Sequence, residues 1–383
     1  MRVLTVLGTR PEVIKLAPVI RRLEAEPEAF EVTTVASGQH ADILYPFAER
    51  FGLKIHRDLK VMRPSQTPSG VCSRVLEALD ALLQEEPFDV ILVQGDTTTA
   101  MAASMAAFHR GVKIGHVEAG LRSGDPLSPF PEEMNRRLIT RLATWHFAAT
   151  SHNRRNLLAE GVPEENIFVT GNPVVDAVQQ VSKKAAAGAR LAGVLARLGG
   201  KRLVVLTTHR RESFGSAMSA NMKVLRDFIT RHDDLAMIFP VHPNPVVVSS
   251  ANEALAGHER IELIEPLGYE DFLALLGQAW LIASDSGGVQ EEAPTLGKPL
   301  IVLRQNTERP EAIESGVARL AGGDPDHLAA LLEEVYAGGS WAERVAQIPN
   351  PFGRGDAASR IAAALLDAFG CEPSELPALD AAV

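Results

Sequence analysis

The strongest constraint on the fold is an alternation of short apolar runs, small-residue turns and amphipathic stretches, and residues 281–311, LIASDSGGVQEEAPTLGKPLIVLRQNTERPE, are its clearest instance. Leu281 to Ala283 is long enough for a buried strand, and Asp285-Ser286-Gly287-Gly288 breaks it. From Val289 the pattern turns helical, with Glu291 and Glu292 read into its first turn, and Pro299 to Leu303 is a second apolar run. Strand, turn, helix and strand in that order form one βαβ unit. The turn falls where backbone N–H groups point outwards and the helix dipole favours an anion. Ser286, Gly287 and Gly288 leave room for a ligand to reach the backbone, Glu292 is placed to accept from sugar hydroxyls, and Arg309 is placed to meet a phosphate. An ordinary βα turn accounts for the same letters, so the rest of the chain has to decide.

The pattern recurs along both halves. Val3–Leu7, Phe30–Ala36, Val90–Val93, Val112–Val117, Trp145–Ala149 and Ile167–Thr170 read as strands, with helices from Pro11, near Tyr45–Phe51, over Val71–Gln84 and from Glu132. After an Ala-, Gly- and Arg-rich stretch over Ala185–Gly200 the alternation restarts at Leu203–Leu206, Met237–Pro240 and Ile261–Ile264. Alternating strands and helices predict parallel sheets covered on both faces, with right-handed crossovers. A chain of 383 residues is long enough for two such cores. The expectation is an α/β protein with two Rossmann-like domains, 1–171 and 172–354, facing a central cleft, an amphipathic helix at about 355–370 packing back on the first domain, and a tail over 371–383.

Composition excludes several classes. A net charge of −10 argues against broad nucleic-acid binding. No apolar run is long enough to span a bilayer, and the N-terminal run reads as a first strand, so a cytoplasmic protein without membrane association is expected. Cys72 and Cys371 support neither a disulfide framework nor a thiolate metal site. No GxGxxG follows the first strand, and no P-loop, HExxH or GxSxG pattern occurs, so no NAD and no metal are expected.

The turns carry charge instead. Asp96, Glu118 and Glu132 lie after strands or at a helix start in the first half, which also adds Arg10 and Lys15, while the second half offers His209, Arg210, Arg211 and His242. Read singly, each has a plain alternative. Asp96 suits a helix N-cap, Glu132 and Glu133 complement a helix dipole, His116 suits a satisfied core histidine, and Arg136 and Arg137 suit a solvated helix face. The functional reading gains because the candidates share the carboxyl edges of their sheets, where open α/β folds bind ligands.

HVEAGLRS (His116 to Ser123) and SPFPEEMNR (Ser128 to Arg136), joined by GTRPE, GDTTT, HRRESFG, DSGGVQEEAP and TERPE in order, give a resemblance over about residues 1–370. The chain resembles the non-hydrolysing UDP-N-acetylglucosamine 2-epimerases. The resemblance implies the glycosyltransferase-B architecture, a homodimer, and interconversion of UDP-N-acetylglucosamine and UDP-N-acetylmannosamine for bacterial surface polysaccharides. It implies Asp96, Glu118 and Glu132 as catalytic carboxylates, and His209 near the departing diphosphate. Arg10 and Lys15 would face phosphates and sugar, and Leu267 and Phe272 the uracil. Ser286, Gly287 and Gly288 would hold the diphosphate, Glu292 the ribose, and Arg309 the sugar-diphosphate. Many members bind a second substrate molecule as an activator, at positions corresponding to Gln39, His40, Gln66, Arg210 and His242. Ser65 and Asp42 depart from that pattern, standing where an arginine and a glutamine are usual, and Leu267 stands where glutamine is frequent. The chemistry suits the residue types. Loss of UDP from C1 acidifies the C2 proton, and carboxylates on two faces can then move it. A hydrolysing relative, a glycosyltransferase of the same architecture and a non-catalytic sensor are the alternatives.

Overall fold

In the computed structural model the described residues are 1–38, 41–63, 66–183, 187–208, 216–338 and 341–370. They form two compact units, 1–177 with 352–370 and 178–351. The chain passes between them inside the helix Pro173–Ser182, a few residues beyond the expected boundary.

The first unit is a seven-stranded sheet of β1 (Arg2–Leu7), β2 (Glu31–Ala36), β3 (Arg57–Asp58), β4 (Val90–Gln94), β5 (Lys113–Ala119), β6 (Trp145–Ala148) and β7 (Ile167–Val169) in the order β3-β2-β1-β4-β5-β6-β7. All the pairings are parallel. Buried on both faces, the strands are nearly continuous in apolar residues, as in Val90-Ile91-Leu92-Val93, and helices such as Pro68–Glu85 and Thr98–His109 cover them. The two-residue strand β3 is too short to leave a periodic signal in the sequence. The helix Ala357–Ala368 packs on the helix Arg10–Glu24, and the Phe369 ring lies 5.4 Å from that of Trp145. Its N-terminus is held by Asp176, whose carboxylate accepts from Ala357 N at 3.2 Å and Ala358 N at 3.1 Å.

The second unit is a six-stranded parallel sheet of β8 (Arg202–Thr207), β9 (Leu235–Pro240), β10 (Ile261–Ile264), β11 (Ala279–Ser284), β12 (Leu300–Val302) and β13 (Ala318–Leu320), ordered β10-β9-β8-β11-β12-β13. In each sheet the strand order reverses once, between β1 and β4 and between β8 and β11. Helices diverge to opposite faces at such a reversal and leave a crevice at the carboxyl ends of the strands. That geometry singles out the turns after β1 and β4 in one unit and after β8 and β11 in the other. No described helix is long and apolar enough to cross a membrane.

Candidate active site

In the first unit the turn after β1 runs Gly8-Thr9-Arg10, and the helix Arg10–Glu24 begins there. Glu12, at its third position, turns back to accept from Thr9 N at 2.6 Å, which is half of a capping box. Arg10 is exposed and lies 5.5 Å from the Phe47 ring centroid. Lys15 is buried one turn on and donates to Glu118 Oε1 at 2.7 Å.

Glu118 is the most constrained residue of this edge. Its φ is +65°, a left-handed conformation that costs a non-glycine residue about 1–2 kcal/mol. The β5–β6 register slips between Val117 and Ala119, so Glu118 occupies a bulge, a device that re-aims a side chain. The carboxylate is then gripped by Lys15 on one oxygen and by the Gln94 amide on the other. A Cβ placed on Gly95, the residue before Asp96, would lie 4.0 Å from Glu118 Oε2, so the end of β4 comes up against the Glu118 carboxylate.

Asp96 is not the helix cap. Thr97 takes that place, accepting from Ala100 N at 3.0 Å. The Asp96 carboxylate is instead paired with the Arg136 guanidinium, while its backbone carbonyl accepts from Asn135 Nδ2 at 2.9 Å. Both partners lie on the helix Glu132–Leu142, so the helix that opens with Glu132 clamps Asp96 by two contacts. This corrects the reading of Arg136 as solvated: it is 4% exposed and also bonds Glu133 Oε2 at 3.0 Å. Glu133, fully buried, likewise does more than complement a dipole, since it bonds Arg137 Nε and Ser123 N, each at 3.0 Å. Arg122 anchors the same loop through Glu160 at 2.6 and 2.8 Å and the Thr140 hydroxyl at 2.9 Å.

His116 is buried, and its Nε2 hydrogen-bonds Gly95 O at 2.8 Å. A carbonyl can only accept, so Nε2 carries the hydrogen. Burial pushes its pKa down to about 3, which keeps the ring neutral, and among the described residues Nδ1 finds no partner. Glu12 is also buried, and desolvation pushes it up to about 7 against the pull of its hydrogen bonds. In sequence, Glu12 shows only the Thr9–Glu12 spacing of a capping box.

In the second unit, the turn after β11 is fixed from below. Thr207 and Ser284 share a hydroxyl–hydroxyl bond of 2.6 Å, Thr208 Oγ1 donates to Asp285 Oδ2 at 2.7 Å, and Ser286 N donates to Ser284 Oγ at 3.0 Å. The helix starts at Gly287, two residues earlier than its apolar pattern suggests, so Glu291 and Glu292 belong to its second turn. Ser286 is the N-cap residue but makes no side-chain cap bond. Gly288 is helical, and among the described residues a Cβ there would meet only Ser286 Oγ, at 3.9 Å. The described residues therefore leave room for a side chain at Gly288.

Arg309 is buried and donates to Glu291 Oε1 at 2.6 Å, with Glu308 Oε2 at 3.4 Å; Arg304 also pairs with Glu308 at 3.0 Å. Glu292 is buried, and Leu267 and Phe272 are half-buried around the start of the helix Tyr269–Gln278. Gln66 accepts from Arg74 at 2.6 Å, and exposed His242 accepts from Asn244 N at 3.2 Å. Gln39, His40, His209, Arg210 and Arg211 lie outside the described residues. Among the described residues no group of three His, Cys, Asp or Glu side chains is arranged to hold a metal ion.

A profile of the family described as UDP-N-acetylglucosamine 2-epimerase matches residues 21–366. The chain is 42% identical over 370 residues to the UDP-N-acetylglucosamine 2-epimerase of Salmonella typhimurium, covering 95% of this chain and 98% of that one. It is 40% identical to the Bacillus subtilis enzyme of the same name, covering 97% and 96%. Among solved structures, the Neisseria meningitidis UDP-GlcNAc 2-epimerase bound to UDP-GlcNAc matches at a TM-score of 0.86 and 36% identity, over 96% of this chain and 100% of that one. Matched from end to end in sequence and fold, the chain belongs to the UDP-N-acetylglucosamine 2-epimerase family.

Proposed function

We propose that the protein interconverts UDP-N-acetylglucosamine and UDP-N-acetylmannosamine without net hydrolysis. The observation that carries this reading is Glu118, held at positive φ in a strand bulge between Lys15 and Gln94, at the same sheet edge as the Asp96–Arg136 pair. Backbone strain and buried charge of this kind gather where a reacting group has to be aimed.

In the reaction the C1–O bond breaks and UDP leaves with its electron pair. A carboxylate removes the C2 proton, giving a 2-acetamidoglucal. UDP then adds back to C1 as a proton is delivered to C2 from the opposite face. Asp96, Glu118 and Glu132 are the groups for proton transfer and for stabilising positive charge at C1. Arg10, Lys15 and His209 favour the departing diphosphate. The turn Ser286-Gly287-Gly288 takes the diphosphate, on the amides of Gly287 and Gly288 since Ser286 N is committed to Ser284 Oγ, Glu292 takes the ribose, Leu267 and Phe272 take the uracil, and Arg309 supports this end through its bonds to Glu291 and Glu308. Neither nicotinamide nor metal is required. We read the protein as a cytoplasmic homodimer on the strength of the family resemblance. Gln39, His40, Gln66, Arg210 and His242 remain the candidates for a second nucleotide-sugar site.

Turnover of UDP-N-acetylglucosamine in deuterated water tests the proposal. The expected result is deuterium at C2 of both epimers without accumulation of free UDP. Complete retention of the C2 proton would overturn the elimination route, and stoichiometric release of UDP and free N-acetylmannosamine would overturn the non-hydrolysing outcome.

A further inference from the structure

Glu12 is 1% exposed, and its carboxyl group is surrounded by donors from two turns. Oε2 accepts from Gly8 N at 3.1 Å, Thr9 N at 2.6 Å and Thr9 Oγ1 at 2.8 Å; Oε1 accepts from Thr97 Oγ1 at 2.8 Å. The Oε2 contacts belong to an ordinary helix cap. The contact to Thr97, 85 residues away, does not. Thr97 is the residue after Asp96, and its hydroxyl already accepts from Ala100 N, so its own hydrogen is the one it gives to Glu12. The approach is close: a Cβ on Gly8 would fall 2.6 Å from Thr99 Oγ1 and 3.1 Å from Glu12 Oε2. The two turns so joined are those of β1 and β4, where the strand order of this sheet reverses.

We propose that Glu12 is a positioning residue for the epimerisation, its carboxylate tying the turn that carries Arg10 to the turn that carries Asp96. The proposal rests on the reading of Asp96 and Arg10 as site residues. Asp96 is thereby held from three directions: by Arg136 at its carboxylate, by Asn135 at its carbonyl, and by Glu12 through Thr97. Four donors converge on Glu12, so the anion satisfies them all, whereas a glutamine would turn an NH2 group against some of them. The neighbouring charged groups are engaged elsewhere: Arg10 lies over Phe47, Lys15 pairs with Glu118, and Asp96 pairs with Arg136. Burial pushes the Glu12 pKa up to about 7, so the tie is complete only above that pH.

Glu12→Gln, Thr97→Val, Thr97→Ser and the double variant Glu12→Gln/Thr97→Val are assayed for kcat, KM, UDP affinity and thermal stability, with Asp96→Asn alongside. Glu12→Gln and Thr97→Val are each expected to lose about tenfold to a hundredfold in kcat while keeping UDP affinity, since a misplaced reacting group costs rate rather than binding. The double variant should lose no more than the worse single one, and Thr97→Ser, which keeps the hydroxyl, should retain the wild-type kcat. Variants that melt earlier but turn over at the wild-type rate would reduce Glu12 to a helix cap and overturn the proposal. So would losses that multiply in the double variant. Full activity of Asp96→Asn would overturn the underlying reading of Asp96, an outcome separate from any result at Glu12.

Discussion

The two units reverse strand order in the same way but secure the reversal with different chemistry. In the first, the turns after β1, β4 and β5 are locked by charged groups: Glu12 on Thr9 and Thr97, Lys15 on Glu118, Arg136 on Asp96. In the second, the turns after β8 and β11 are bridged from beneath by Thr207–Ser284 and Thr208–Asp285, and the buried pairs Arg309–Glu291 and Arg304–Glu308 stand further along the chain. The end of the β11 turn is Ser286, Gly287 and Gly288, the glycine at 287 buried and the other two half-buried. An edge that moves protons needs carboxylates in fixed directions, which takes partners on both oxygens. An edge that grips a diphosphate needs N–H groups with nothing in front of them, which takes small residues and support from behind.

If this division is right, neutralising a carboxylate in the first unit costs rate and not nucleotide binding. Glu118→Gln is expected to lower kcat by about 10³, within the range general acid–base catalysis supplies, while UDP affinity is retained. Steady-state kinetics together with calorimetric titration of UDP measure the two quantities separately. Retained kcat would mean that the strained backbone and the Lys15 pair serve the fold alone, and lost UDP binding would mean that the two edges are not specialised.

The glycines sharpen the comparison. Gly120, in the turn after β5, has φ +86°, and a Cβ there would sit 2.3 Å from Asn153 O and 3.0 Å from Leu157 Cγ. Among the described residues, a Cβ on Gly288 would meet nothing nearer than 3.9 Å. Gly120→Ala should therefore cost about 4 kcal/mol, since both the backbone angle and the contact are forbidden. Gly288→Ala should leave the folded state as stable or slightly more so, by up to about 1 kcal/mol from helix propensity, while weakening UDP binding. Urea denaturation and UDP titration of the two variants would give opposite patterns. A Gly288→Ala variant that binds UDP normally would remove the ligand as the reason for glycine there.

These two residues also show what the sequence discloses. The βα alternation is local, so the periodicity of apolar residues was enough to locate the strands of both sheets, apart from the two-residue β3 and the short β13. The carboxylates after the strands were legible for the same reason, because a turn at a strand end is a local event. Partnership across the chain was not. Arg136 reads as a solvated helix residue because its burial is imposed by Asp96, forty residues earlier. The left-handed backbone of Glu118 has no letter to announce it, and Gly120 and Gly288 are the same letter doing opposite things. Glu12 lay within the GTRPE pattern, yet only its bond to Thr97 separates it from any capping-box glutamate.

Glu12 connects stability to the division between the edges. Its carboxyl has an ordinary value of 4.5, and burial pushes it up to about 7 in the folded protein. Below the ordinary value it is protonated in both the folded and unfolded chain. Between the two values the unfolded chain has released the proton and the folded protein still holds it, so stability falls as pH rises. Above about 7 the loss is complete. The shift corresponds to roughly 3 kcal/mol. Glu12→Gln has no such proton, so the gap between wild-type and variant unfolding free energies should change by that amount across this window. Asp176, pushed up to about 6 by burial, slopes the same way in both proteins and cancels in the difference. Parallel urea-melt profiles would mean that Glu12 titrates normally. A closing gap, together with an intact kcat above pH 7 in the wild type, would show the first unit holding a costly anion at its strand reversal because the ionised form is the one that aims Asp96.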